Sequence, residues 1–130
     1  MKSLLLSFVA LFFILHPSAN ATEFKCKVAK KLDDERQYTD EQLSKGNFSA
    51  LIEEKGSEAF VSRCSHSPSD EKVTCDRYKV DKIAFDEHIK SKKFYVFRSQ
   101  FDIQLFSNLS FIENNGRGGI SYGKCHLTSP

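Results

Sequence analysis

The chain has no tryptophan, one methionine and only three prolines in 130 residues. With no indole to line a saccharide cleft, a chain this short makes a poor glycoside hydrolase. Gly119-Ile120-Ser121-Tyr122-Gly123 matches Gly-x-Ser-x-Gly, but it lies in the closing strand run, not on the sharp strand-to-helix turn that exposes a hydrolytic serine. The one glycine-rich stretch lacks the Lys-Ser/Thr ending of a phosphate cradle. No apolar run reaches the roughly 20 residues that a helix needs to span a bilayer; the longest is 12 residues, from 4 to 15. Nor is one sign of charge in excess. Lys and Arg number 19 against 17 Asp and Glu, which leaves no strong electrostatic reason to bind nucleic acid. Internal repeats and low-complexity runs are absent as well.

What is present begins with an export pattern. Lys2, the apolar run, the break at His16-Pro17 and the small residues of Ala19-Asn20-Ala21 form the three parts of a cleavable signal peptide, residues 1–21. Residue 22 is Thr, not Cys, so the first mature residue has no thiol for a lipid anchor. Removal of 21 residues leaves 109, enough for a single domain, 22–130, and one core. The leader holds one basic and no acidic residue, so the mature net charge is +1. The basic clusters Lys25/Lys27/Lys30/Lys31 and Lys90/Lys92/Lys93 lie among acidic neighbours and read as solvated faces or turns.

All four cysteines, Cys26, Cys64, Cys75 and Cys125, fall after the leader. An even set behind an export signal implies an oxidising compartment and two disulfides. Four cysteines allow three connectivities. Cys64 and Cys75 flank a turn-rich stretch, Ser65-His66-Ser67-Pro68-Ser69-Asp70-Glu71, and can face each other across a hairpin. The pair that remains would then tie the first strand to the last. Metal binding by Cys64, His66 and Cys75 is the competing reading, but the spacing fits no standard zinc arrangement and oxidation would consume the thiols. No metal or cofactor is expected.

Apolar residues after position 22 alternate more than they recur at helical spacing, and turn residues interrupt them about every dozen positions. This rhythm predicts a mainly all-β fold, an antiparallel barrel or sandwich of about seven or eight strands. Phe24, Cys26 and Val28 share one face of the first strand. Phe101, Ile103 and Leu105 share one face of a later strand. Two short helices are candidates: one capped by the Thr39-Asp40-Glu41-Gln42 box and stopped at Gly46, the other over residues 81–90, which also fits a continuing strand. Nine phenylalanines follow the leader; they suit a packed core or the lining of a hollow barrel.

The best functional candidate is the loop Asn114-Asn115-Gly116-Arg117-Gly118-Gly119. Asparagine and glycine tolerate the positive φ of a tight hairpin, and a tip arginine gains little for folding but can dock into an acidic cleft. Ser121 and Tyr122 continue the segment. His66, His88 and His126 are scattered, and the carboxylates of Asp33-Asp34-Glu35 and Asp86-Glu87 lie in polar, turn-like runs. Asn47-Phe48-Ser49 and Asn108-Leu109-Ser110 match the N-glycosylation pattern, which matters only in a eukaryotic source.

With Phe24-Lys25-Cys26 near its start and Gly123-Lys124-Cys125 near its end, the chain resembles small exported bacterial β proteins without assigned activity. More distantly it is similar to the periplasmic lysozyme inhibitors. That resemblance implies a compact antiparallel barrel whose Ser-Gly-x-x-Tyr loop enters the lysozyme cleft. Gly119-Ile120-Ser121-Tyr122 keeps the Gly and the Tyr at that spacing but has Gly118 where the Ser would stand. The function expected is therefore a secreted or periplasmic, non-enzymatic domain that binds a protein partner through strand-end loops. The alternatives are a lysozyme inhibitor, a small hydrolase and an apolar-ligand barrel. Oligomeric state is left open.

Overall fold

The computed structural model describes residues 21–128. Of the expected leader, residues 1–20 lie outside the described residues, while Ala21 begins the first strand opposite Lys55. The elements in chain order are β1 (Ala21–Asp33), β2 (Arg36–Gln37), α1 (Asp40–Gly46), β3 (Ser49–Lys55), β4 (Glu58–Ser67), β5 (Lys72–Lys79), β6 (Lys82–Asp86), β7 (Ser91–Val96), β8 (Phe101–Phe106), β9 (Ser110–Asn114) and β10 (Gly119–Leu127). Strands hold 66% of the described residues and helix 6%, so the class is mainly all-β, with one short helix among those residues. Ten strands form among the described residues, because the two-residue β2 and the split between β5 and β6 raise the number above that read from alternation alone. The stretch 81–90 is β6 followed by a turn rather than a helix.

The sheet runs β5-β4-β3-β1-β10-β9-β8-β7-β6, with β2 paired only to β1. Every pairing is antiparallel. Its two edges, β5 and β6, are nevertheless joined by Val80 and Asp81 alone. From Lys79 to Lys82 the backbone can reach roughly 10 Å, so a nine-strand path must curl until its edges approach, and it does so as a half-barrel. The connector changes partners midway. Val80 N–H donates to Ala59 O at 2.9 Å, and Asp81 N–H donates to Tyr95 O at 2.8 Å. The Asp81 carboxylate then accepts from Phe97 N at 2.7 Å. At the centre of the sheet, β1 shifts register between Val28 and Lys30, an irregularity of the kind that sharpens local twist.

The concave side carries the core. Phe94, Phe111, Ile52, Ile103, Val61 and Cys26 are fully buried, so the middle of the half-barrel is filled with side chains. The alternation read for Cys26/Val28 and for Phe101/Ile103/Leu105 is inward-facing. Cys26 pairs with Cys125 across β1 and β10, and Cys64 with Cys75 across β4 and β5, the connectivity that hairpin geometry favours. The first disulfide is buried; Cys75 of the second is exposed. Two disulfides fit an oxidising extracellular compartment. No helix among the described residues is long and apolar enough to cross a membrane.

Thr39 caps α1. Its hydroxyl accepts from Gln42 N and its own N–H donates to Gln42 Oε1, the reciprocal box expected from the sequence. Gly46 ends the helix, and Asn47 takes the left-handed cap with φ 46. Chain direction then reverses into β3, whose neighbour Phe48 packs edge-on against Tyr38 at 5.8 Å.

Candidate interaction loop and the polar end of the half-barrel

The β9–β10 hairpin loop is held by its own asparagines. Asn114 Oδ1 accepts from Gly116 N at 2.9 Å, and Asn115 Oδ1 accepts from Arg117 N at 2.8 Å and Gly119 N at 2.9 Å. Asn115 N closes the turn on Gly119 O. Gly116 and Gly118 carry φ of 74° and 89°, which an L side chain resists. Space forbids one too: a Cβ on Gly116 would lie 1.8 Å from Gln100 O, and on Gly118 2.8 Å from Asp34 Oδ1. The loop is thus wedged between the β7–β8 turn and the β1–β2 turn, the latter linked to it by Asp34 N–H to Gly118 O at 3.3 Å. At its tip Arg117 is exposed, and its guanidinium has no partner among the described residues.

The three residues singled out in this segment do not converge. Ser121 points into the half-barrel and is 3% exposed. Tyr122, its neighbour in β10, is on the convex face, with Lys30 Nζ 6.0 Å from its ring centre. Strand pleating places consecutive residues on opposite faces, so only Arg117 stands free at the tip.

Beneath this end lies a polar cleft of about 180 Å³ whose lining includes Lys31, Phe48, Arg63, Asp76, Glu113 and Ser121. Glu113 is buried and forms an ion pair with Arg63. The Arg63 guanidinium also sits 4.8 Å from the centre of the Phe101 ring, a cation–π contact. Lys31 is placed similarly over Phe48 at 4.9 Å and Tyr38 at 5.6 Å. Composition did not single out Glu113. The available signal was its parity with Phe111, which puts a carboxylate on the core face of β9.

The histidines lie elsewhere. His66 and His126 are exposed strand residues. His88 shares a shallow depression with Asp86 and Ser91, a set that resembles a catalytic triad only by composition. Asp86 Oδ1 accepts from the backbone of His88 and Ile89 and so shapes the turn. Ser91 is 2% exposed and accepts from Gln104 Nε2 at 3.0 Å. Cys64 and Cys75 are oxidised and offer no thiolate to a metal, and no cluster of three or more His, Cys, Asp or Glu suited to a metal ion occurs among the described residues.

Comparison with known proteins returned no matching family model, no matching curated protein and no matching solved structure.

Proposed function

We propose that this chain is an exported, non-enzymatic binding domain that offers the β9–β10 loop to an acidic concavity on a protein partner, with Arg117 as the anchor. The single observation that carries the reading is an unpaired, exposed arginine on a loop whose backbone three side-chain hydrogen bonds hold in place. Such a loop loses little conformational entropy on docking, and arginine is among the residues that most often dominate an interface. The leader pattern of residues 1–21 and the two disulfides support a periplasmic or extracellular address.

The test is affinity capture from periplasmic or culture-fluid proteins with wild type, Arg117→Ala and Arg117→Glu side by side. A partner retained by wild type and weakened about tenfold or more by either variant supports the reading. Capture that is equal in all three overturns it. A muramidase assay with purified lysozyme identifies one particular acidic cleft: inhibition lost in Arg117→Glu would make lysozyme the partner, and absence of inhibition removes that enzyme from consideration.

A further inference from the structure

We propose that the other end of the half-barrel binds one monomeric anionic amphiphile, an unbranched alkyl chain bearing a carboxylate. A depression of about 270 Å³ opens there between Phe24, Phe85, Leu105, Phe106 and Leu109. The centre of the molecule is filled by Phe94, Phe111 and Ile52, so the depression has a floor and a chain would lie in it rather than thread through. A cavity of about 150 Å³ holds benzene; by that measure the space suits a chain of roughly ten carbons.

Its charges select the head group. Glu54, Lys90 and Lys92 belong to the lining. Lys92 Nζ donates to both oxygens of Glu54, at 3.1 and 3.0 Å, so these two neutralise each other. Lys90 is exposed and has no ion-pair partner among the described residues. One uncompensated cation beside an apolar trough is complementary to a single carboxylate on a hydrocarbon chain, and repels a quaternary ammonium head.

Two further observations converge on this place. Phe85, in the lining, is 56% exposed, a large apolar side chain to leave in water beside an apolar trough. Six non-glycine residues among those described have positive φ, and two of them, Lys90 at 52° and Leu109 at 66°, line this depression. Glycine or asparagine takes that backbone more readily. The side chains kept there supply the wall and the charge of the site.

Titration calorimetry with decanoate below its micellar range tests the proposal, with decyltrimethylammonium and decyl maltoside as matched probes. Decanoate is expected to saturate at one per chain and to bind at least about tenfold more tightly than the ammonium probe. Phe85→Ser and Lys90→Glu each weaken decanoate about tenfold, and Lys90→Glu shifts the preference toward the cation. Both positions are exposed, so unchanged circular dichroism is expected to show that the variants stay folded. Arg117→Ala leaves decanoate binding intact, which separates this site from the loop. No decanoate binding at millimolar concentration overturns the proposal. So does equal binding of all three probes with no effect of Lys90→Glu, and so does binding to anionic vesicles alone, which would indicate a membrane surface.

Discussion

The two ends of the half-barrel solve the same problem with opposite chemistry. At the end beneath the β9–β10 loop, a polar cleft is lined by the ion pair Arg63–Glu113, of which Glu113 is buried, and by cations lying over Phe48 and Phe101. At the other end Phe24, Leu105 and Leu109 line an apolar depression, and the ion pair in its wall is Lys92–Glu54. Each end also has its own disulfide: Cys64–Cys75 borders the polar cleft, whereas Cys26–Cys125 lies two residues along the strands from the Phe24–Leu127 pair. A core of aliphatic and aromatic side chains tolerates loss of a contact gradually. A buried ion pair does not, because removing one member leaves a desolvated charge. The polar end is therefore expected to be specific and brittle, the apolar end adhesive and forgiving.

The disulfides test that contrast most strongly. Cys26 and Cys125 are 99 residues apart in sequence and join the first strand to the last; Cys64 and Cys75 are 11 apart within one hairpin. In the chain-entropy account, opening the long loop costs about 5 kcal/mol and the short one about 3. Urea unfolding of the Cys26→Ala/Cys125→Ala and Cys64→Ala/Cys75→Ala proteins is expected to show that order. Equal losses would mean that strand pairing, not the covalent tie, anchors the apolar end.

Next in size is the ion pair. Arg63→Met leaves the buried Glu113 carboxylate without its partner and is expected to destabilise by about 3 kcal/mol, whereas replacing both partners, Arg63→Met with Glu113→Leu, is expected to come within about 1 kcal/mol of wild type. If the single variant unfolds at the wild-type urea midpoint, the polar end is solvated rather than buried and the contrast between the ends fails.

How far the sequence reached can be judged from particular residues. Cys64 and Cys75 were legible because a local turn brings them together, and Thr39–Gln42 because a capping box is complete within four residues. The loop of Gly116 and Gly118 was legible because positive φ has few alternatives to glycine. Ser121 was misplaced relative to Arg117, since face assignment needs the pairing register with β9, in which Ser121 faces Glu113. Arg63 and Glu113 are 50 positions apart, in β4 and β9, with β3, β1 and β10 between them in the sheet. Only the curl forced by Val80 and Asp81 lets them meet across the concave side, and alternation along a strand carries no trace of that curl.

Loop geometry supplies the third prediction. Gly116→Ala meets both a positive φ and the Gln100 carbonyl, and is expected to cost about 1–3 kcal/mol. Gly56→Ala, at φ 62 in the β3–β4 turn with open space around it, meets only the backbone term and is expected to cost about 1 kcal/mol. Thermal melts that rank the two equally would show that the loop is not wedged against the β7–β8 turn, and the rigidity that favours docking through Arg117 would be lost with it.

The smallest effect is the most discriminating for the apolar end. Lys90 pays for a left-handed backbone with no ion pair in return, so Lys90→Asn is expected to raise stability by a few tenths of a kcal/mol, because asparagine is enriched at such positions. The same substitution removes the only uncompensated charge in the depression. A protein that becomes slightly more stable and loses its preference for decanoate over decyl maltoside would show the lysine to be kept for a ligand at the expense of the fold. Destabilisation instead would place Lys90 among the residues that hold the β6–β7 turn, and the two ends would then differ in packing alone.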